Sequence, residues 1–128
     1  MAEKKRILIA DDDEVVLTSL KKLLVISGFE VNVTKNARDI SSIVQSFKPQ
    51  LILLDLLMPD LGGLEICDIL NKDSQTQGIP IIILSAVGNY TDIRKAYKLG
   101  VIGYITKPYE FPQLLKEIQK AIDSKEKA

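Results

Sequence analysis

The sequence predicts an α/β fold in which five helices cover the two faces of a five-stranded parallel sheet. Five short apolar segments alternate along the 128 residues with five segments whose apolar residues recur every three or four positions. Three of the short segments are continuously apolar, which is typical of strands buried on both faces of a parallel sheet. Right-handed helical crossovers connect such strands.

The strands are predicted from the apolar segments. They are Arg6–Ala10, Glu30–Thr34, Leu51–Asp55, Ile81–Ser85 and Gly103–Thr106. The first, third and fourth are the continuously apolar ones. Ligands of open α/β sheets bind outside the carboxyl ends of the strands, so we looked for functional residues there.

Each helix is predicted from an apolar face and from the residues near its ends. The first has Val16, Leu20, Leu23, Leu24 and Ser27 on one face and ends at Gly28. The second has Ile40, Ile43, Val44 and Phe47 and ends at Pro49; the third has Leu64, Cys67 and Leu70. The fourth spans Thr91–Leu99 and ends at Gly100; the fifth has Leu114, Leu115, Ile118, Ala121 and Ile122, with Pro112 near its start.

Composition excludes several classes of function. Lys plus Arg equals Asp plus Glu at 17 each, so no overall field attracts nucleic acid or an anionic membrane, and we expect no direct nucleic acid binding. The apolar runs, such as Leu51–Leu54 and Ile79–Leu84, are too short to span a bilayer, so we expect no membrane insertion. The chain has no His, which excludes a histidine general base and a His-containing catalytic triad. Its single cysteine, Cys67, excludes an intrachain disulfide. A cytoplasmic protein of one domain, 1–128, is expected, with an N-terminal tail at 1–5 and a fraying C-terminal tail at 123–128.

Polar residues follow four of the predicted strands and should converge at one edge of the sheet. They are Asp11, Asp12 and Asp13 after the first strand, Asp55 at the end of the third, Ser85 at the end of the fourth, and Lys107 and Pro108 after the fifth. Any one of these Asp residues alone is more simply read as a helix cap, and Asp13 is a candidate N-cap. The combination, one group after each of several strands, favours a shared site.

The chemistry of this set is that of phosphoryl transfer. Crowded carboxylates repel one another, and Mg²⁺, for which Mn²⁺ is expected to substitute, relieves the repulsion through oxygen ligands. Asp55 is a candidate nucleophile toward phosphorus. The metal ion and Lys107 would neutralise charge on the transferring group, and the Ser85 hydroxyl would hydrogen-bond one of its oxygens.

These residues resemble the receiver domains of two-component signalling, in particular the stand-alone chemotaxis type. The resemblance covers nearly the whole chain. It is carried by four motifs, which are Ile7–Asp13, Leu54–Pro59 with Gly62 and Gly63 after it, Ser85–Ala86, and Tyr104–Pro108. The separations of 30 residues from Asp55 to Ser85 and 22 from Ser85 to Lys107 are usual in the family. The resemblance implies a flavodoxin-like (βα)5 fold with strand order 2-1-3-4-5.

The resemblance also implies a role for each matching residue. Asp12 binds the metal directly, Asp11 helps to position it, Asp55 accepts the phosphoryl group and binds metal, and the Leu57 backbone carbonyl is a further ligand. Lys107 and Ser85 contact the phosphoryl group. Ser85, Tyr104 and a cis peptide bond between Lys107 and Pro108 form the switch. The domain then assists only its own phosphorylation and dephosphorylation, and is not otherwise an enzyme.

The implied partners are a sensor histidine kinase or phosphotransfer protein, and a downstream protein or a second copy of the domain. The latter would dock on the face formed by the fourth helix, fifth strand and fifth helix, near Ile93, Tyr97, Tyr104 and Phe111. The sequence departs from many relatives at Leu57 and Val87, where polar residues are common, and at Gly62, where Asp is common. These departures bear on kinetics and partner choice.

The sequence leaves three alternatives to consider. The chain could be the receiver module of a longer regulator with a DNA-binding or enzymatic output domain; its start at Met1 and its end after the fifth helix only slightly favour a stand-alone regulator. A haloacid-dehalogenase-type phosphohydrolase also uses an Asp nucleophile, but it needs a second Asp where this chain has Leu57. The third alternative is a nucleotide-binding domain, but this chain has no glycine-rich phosphate-binding loop.

Overall fold

Across residues 3–58 and 60–127, which the computed structural model describes, five strands alternate with five α-helices. The strands are β1 (Arg6–Ala10), β2 (Glu30–Thr34), β3 (Leu51–Leu54), β4 (Ile81–Ser85) and β5 (Gly103–Thr106). The helices are α1 (Glu14–Ile26), α2 (Ile40–Phe47), α3 (Gly63–Lys72), α4 (Tyr90–Lys98) and α5 (Phe111–Lys127), and a 3₁₀ turn, Ala37–Asp39, precedes α2. Met1, Ala2 and Ala128 of the predicted tails, and Pro59 of the acceptor motif, lie outside the described residues.

The sheet is parallel throughout, and its strand order of β2-β1-β3-β4-β5 confirms the predicted topology. Alternate residues of β1, β3 and β4 enter two separate apolar clusters. One cluster packs the sheet against α2, α3 and α4, and the other packs it against α1 and α5. The three strands are apolar at almost every position because both of their faces are covered.

Helix α1 buries only part of the predicted face: Leu20 and Leu24 are buried as predicted, and Val16 is half-buried. Its buried residues are Leu17, Leu20 and Leu24, whereas Leu23 is 40% exposed and Ser27 is exposed. The spacing of three and four places the buried leucines on one stripe, which contacts β1 and β2. The helix ends are as expected, because Asp13 accepts hydrogen bonds from two N–H groups of the first turn and Gly28 has a φ of 102°.

The remaining helix ends differ from the predictions by small shifts. Helix α2 ends before Pro49, at Lys48, whose φ of 52° is left-handed. The Arg6 side chain satisfies the end of α2, because its Nε donates to the carbonyls of Phe47 and Lys48 at 2.9 Å each. Helix α4 begins and ends one residue before the predicted Thr91–Leu99.

Residues 123–127, which the sequence predicts to fray, continue α5 in the structure. Two contacts explain this. Ile122 is buried in the core, and Glu126 forms an ion pair with Lys5. Lys5 also joins the N-terminal segment to β2, because its carbonyl accepts a hydrogen bond from the Glu30 N–H at 2.9 Å. None of the helices in the described ranges is long and apolar enough to cross a membrane.

Candidate functional site

The sheet itself places the candidate residues, because each lies at or just after the last paired residue of its strand. The Asp55 N–H donates to the Ala10 carbonyl at 3.0 Å, and this bond continues the β1–β3 ladder. The Lys107 N–H donates to the Ser85 carbonyl at 2.9 Å and continues the β4–β5 ladder in the same way. The carboxyl ends of these strands therefore meet at one edge of the sheet, as predicted.

Three carboxylates form the centre of the site. Asp11, Asp12 and Asp55 each offer an oxygen, and these oxygens all lie within 4.8 Å of one another. Asp11 and Asp55 are only 2% and 6% exposed, whereas Asp12 is exposed. Buried carboxylates at this spacing repel one another unless a cation compensates them, and a set of oxygen donors suits a hard divalent ion. The donor set therefore fits a metal ion such as Mg²⁺.

Lys107 supplies one compensating charge. Its Nζ lies 2.7 Å from Asp11 Oδ2 and 3.3 Å from Asp55 Oδ2. Burial acts to lower the pKa of Lys107, but the hydrogen bond and charge of Asp11, followed by those of Asp55, outweigh burial and raise it. Lys107 therefore carries its charge between the two buried carboxylates.

The surroundings of Asp11 disfavour its charged form. Burial raises the pKa of Asp11, and this effect exceeds the opposing hydrogen bonds from Lys107 and from the Asp13 N–H. The negative charge of Asp55 raises it further. One lysine therefore does not fully offset the cost of burying the Asp11 charge beside Asp55. A second cation bound there would reduce this cost further.

The two oxygens of Asp55 have different partners. Oδ1 accepts a hydrogen bond from the Leu57 N–H at 3.0 Å, while Oδ2 faces Lys107. Leu57 lies in the loop after β3, and its side chain is 57% exposed. Leu57 can neither donate nor accept a proton, so the second acid of a haloacid-dehalogenase site has no counterpart two residues after Asp55.

Ser85 and Tyr104 both contact the backbone of Val87. Ser85 is fully buried, and its Oγ accepts a hydrogen bond from the Val87 N–H at 3.2 Å. The Tyr104 hydroxyl donates to the Val87 carbonyl. Burial raises the pKa of Tyr104, and the charges of Asp92 and Asp55 add to this effect. The loop after β4 thus connects the two proposed switch residues.

The peptide bond between Lys107 and Pro108 is cis, the isomer that the family resemblance implies. Cys67 is buried in the core, as expected, and burial raises the pKa of its thiol to about 12. The thiol is therefore protonated near neutral pH and unsuited to act as a nucleophile.

Two residues beside the site were not given a role by the sequence. Gly63 packs so closely on the end of β3 that a Cβ there would lie 2.5 Å from the Leu56 Cα. The adjacent glycines 62 and 63 were a signal, but the sequence does not say which of them needs to be glycine. Asp60 accepts hydrogen bonds from the N–H groups of Ala37 and Arg38. These partners are more than 20 residues away, so no local pattern could have indicated them.

Hydrogen bonding also sets the ionisation of Asp60. The hydrogen bond from the Arg38 N–H lowers the pKa of Asp60 most, desolvation opposes it, and the Ala37 N–H lowers it further. The net pKa of Asp60 is lowered, so this carboxylate is charged at neutral pH.

The chain is similar in sequence to DNA-binding regulators of two other organisms. The chain is 30% identical over 114 residues to RpaA of Synechocystis sp., a DNA-binding dual master transcriptional regulator, and the match covers 89% of this chain and 47% of RpaA. It is 31% identical over 116 residues to the DNA-binding response regulator MtrA of Mycobacterium tuberculosis, covering 91% of this chain and 50% of MtrA. The chain thus spans about half the length of these curated relatives.

Solved structures give the same assignment. A CheY-like receiver domain from Methanospirillum hungatei superposes with a TM-score of 0.92 at 30% identity, covering 98% of both chains. The chemotaxis protein CheY4 of Vibrio cholerae, at 24% identity and a TM-score of 0.87, shares the fold. The family profile described as the response regulator receiver domain matches residues 7–119. The chain therefore belongs to the response regulator receiver domain family of two-component signalling.

Proposed function

We propose that this domain is a phosphorylation-dependent switch that takes a phosphoryl group onto Asp55. The donor is a phosphohistidine of a sensor histidine kinase or of a phosphotransfer protein. An Asp55 carboxylate oxygen forms the new P–O bond while the P–N bond to the partner's imidazole breaks. The observation that carries the proposal is the buried Asp55 carboxylate, held between Lys107 and the carboxylates of Asp11 and Asp12.

The metal site follows from the same residues. The carboxylates of Asp11, Asp12 and Asp55 and the Leu57 backbone carbonyl would hold Mg²⁺, for which Mn²⁺ is expected to substitute. When bound, the ion neutralises charge on the phosphoryl oxygens. Lys107 neutralises further charge there, and the Ser85 hydroxyl donates a hydrogen bond to a phosphoryl oxygen. The domain is a signalling module, and the proposed chemistry is limited to its own phosphorylation and dephosphorylation.

The direct test uses a small phosphodonor in place of the kinase. Incubating the protein with acetyl phosphate and Mg²⁺ is expected to add one phosphoryl group, detected by intact-protein mass spectrometry and lost on treatment with base. A parallel sample with a chelator in excess of Mg²⁺ should stay unmodified. No uptake in the presence of Mg²⁺ would overturn the proposal.

The relatives favour a second candidate for the output. RpaA and MtrA are both named as DNA-binding regulators, and the match covers about half of each. The same switch could therefore serve as the receiver module of a longer regulator with a DNA-binding output. Reading the gene on both sides of the segment that encodes residues 1–128 separates this candidate from a stand-alone regulator.

In either case the output would use the α4-β5-α5 face. Tyr97 on α4 is 47% exposed, and Ile93, Tyr104 and Phe111 are half-buried. A downstream protein or a second copy of this domain would dock there. Phosphorylation would draw Ser85 toward the phosphoryl group, and the Tyr104 ring would enter the vacated space, so the two residues form one two-state element.

A beryllofluoride complex of Asp55 tests this coupling. Movement of Ser85 breaks its hydrogen bond with the Val87 N–H, and a rotamer change of Tyr104 breaks the bond to the Val87 carbonyl. We therefore expect the amide signals of Val87 and of the α4-β5-α5 face to shift on adding beryllofluoride. Amides of β2, on the opposite edge of the sheet, serve as the control. Shifts confined to the acceptor loop would refute the coupling.

The lifetime of the phosphorylated state should be long. Hydrolysis needs a water molecule in line with the bond to Asp55, and a polar side chain at the positions of Leu57 or Val87 could orient it. The two apolar side chains can only crowd the approach. A missing water-orienting hydrogen bond corresponds to about 1–2 kcal/mol in the transition state, or roughly 5- to 30-fold in rate. Such a lifetime suits a slow transcriptional output better than a rapid motility response.

We therefore expect Leu57→Asn and Val87→Glu to lose phosphate roughly 5- to 30-fold faster than the unsubstituted protein at the same Mg²⁺ concentration. Phosphate release after removal of the donor measures this rate. Ile69→Asn is a matched control, because Ile69 is an exposed apolar residue on α3 outside the site. Equal release rates from all four proteins would show that lifetime is set elsewhere.

A further inference from the structure

The loop between β3 and α3 is fixed to a distant part of the chain by one side chain. Asp60 Oδ1 accepts a hydrogen bond from the Ala37 N–H and Asp60 Oδ2 accepts one from the Arg38 N–H, both at 3.1 Å. Both donors belong to the 3₁₀ turn that leads into α2. A carboxylate that binds two successive N–H groups with its two oxygens is held in both position and orientation.

The donors in the 3₁₀ turn depend on this outside partner. Asn36 and Asp39 stand at the cap positions of the turn and of α2, yet neither makes a side-chain cap hydrogen bond among the described residues. Asp60 takes the place of such a local cap, and its negative charge also suits the positive end of the turn. The contact is therefore favourable for both of the segments it joins.

Asp60 is the one side chain of the loop that can form such polar bonds, whereas Leu56 and Met58 anchor the start of the loop by packing in the core. Between residues 56 and 62, Asp60 is the one charged side chain, and the others are apolar or glycine. Two backbone N–H groups fix the ends of the loop. The Leu57 N–H donates to Asp55 Oδ1, and the Gly63 N–H donates to the Leu56 carbonyl. Gly62, the N-cap of α3, has no side chain with which to form a cap hydrogen bond. The middle of the loop is thus anchored toward α2 through Asp60.

We propose that Asp60 is a positioning residue for the metal site: by tying the loop to the Ala37–Asp39 turn, it holds the loop backbone so that the Leu57 carbonyl is ready to bind Mg²⁺. The inference rests on the proposed function, because it assumes the metal site of Asp11, Asp12 and Asp55. A ligand that is held in place before binding loses less freedom when the ion arrives. Removing such outer partners lowers metal affinity even though they do not touch the ion.

The test compares Mg²⁺ dissociation constants, measured by calorimetry on the full chain. Asp60→Ala removes both acceptors and is expected to weaken Mg²⁺ binding about 10-fold, the lower end of the roughly 10- to 100-fold range for residues that hold metal ligands in place. Asp60→Asn keeps one acceptor oxygen and should fall between Asp60→Ala and the unsubstituted protein. Asp68→Ala is the matched control, because Asp68 is an α3 acid paired with Lys72 outside the site. Asp12→Ala removes a proposed metal ligand, and its Mg²⁺ dissociation constant shows how weak binding becomes when the site itself is disrupted.

A second readout separates positioning from general destabilisation. At saturating Mg²⁺ the rate of phosphorylation of Asp60→Ala by acetyl phosphate should return to within about twofold of the unsubstituted rate, because bound metal restores the loop. A lowered melting temperature with unchanged Mg²⁺ affinity would show a purely structural tether and overturn the inference. If the unsubstituted protein itself binds no Mg²⁺, the proposed function fails as well. If it binds Mg²⁺ with the same affinity as Asp60→Ala, the inference alone fails.

Discussion

An Asp55→Asn variant is expected to take up no detectable phosphoryl group from acetyl phosphate and Mg²⁺. The amide has nearly the same shape as the carboxylate, but it lacks the negative charge and the nucleophilic oxygen that the new P–O bond requires. It also removes one of the three carboxylates that would hold the metal ion. The amide oxygen can still accept the hydrogen bond that Asp55 Oδ1 receives from the Leu57 N–H, so the fold should persist.

Asp13→Asn is the matched control for this experiment. Asp13 follows the same strand as Asp11 and Asp12, but its side chain caps α1 by accepting from the N–H groups of Val15 and Val16. Asn is an equally good N-cap, so this variant should fold and be phosphorylated at the unsubstituted rate. Intact-protein mass spectrometry and a melting curve measure both properties. Phosphorylation of Asp55→Asn at the unsubstituted rate would place the acceptor on another residue.

The strands could be predicted closely because burial on both faces of the sheet leaves a pattern in the local sequence. In β1, β3 and β4, burial on both faces demands apolar residues at every position, and the boundaries are visible where polar residues begin. Helix α1 was harder to orient. It carries apolar residues around most of its circumference, and Val15, Val25 and Ile26 remain exposed. Periodicity alone could not select the stripe that contacts the sheet, because the competing stripes are similarly apolar.

The predicted set of site residues depended on topology, since parallel strand ends meet at one edge of a sheet. That argument brings Asp11, Asp55 and Lys107 together, and the structure does so. It could not show that Lys107 lies nearer to Asp11, at 2.7 Å, than to Asp55, at 3.3 Å. Such differences depend on side-chain packing around the loops. The tether at Asp60 was equally invisible, because it joins segments that only the folded chain brings together.

Gly63→Ala is expected to have a large effect on stability for a reason that lies in the backbone. The added Cβ would lie 2.5 Å from the Leu56 Cα and 2.8 Å from the Asp55 carbonyl oxygen. Backbone atoms cannot rotate away as a flexible side chain can, so α3 would have to move off the end of β3. Overpacking of this kind should cost about 3 kcal/mol of unfolding free energy, or roughly 10 °C in Tm.

Gly62→Ala provides the matched control within the same loop. Among the described residues, apart from its chain neighbours, no atom lies within 4 Å of a Cβ built at Gly62, and its φ of −65° is one that alanine adopts readily. Its Tm should therefore stay within about 2 °C of the unsubstituted value. Gly63→Ala should also be phosphorylated more slowly, because the clash pushes on the carbonyl of Asp55 and displaces the acceptor from Lys107. Equal Tm values for the two alanine variants would show that the chain relaxes around Gly63 without strain, and the close approach of α3 to β3 would then not be needed to position Asp55.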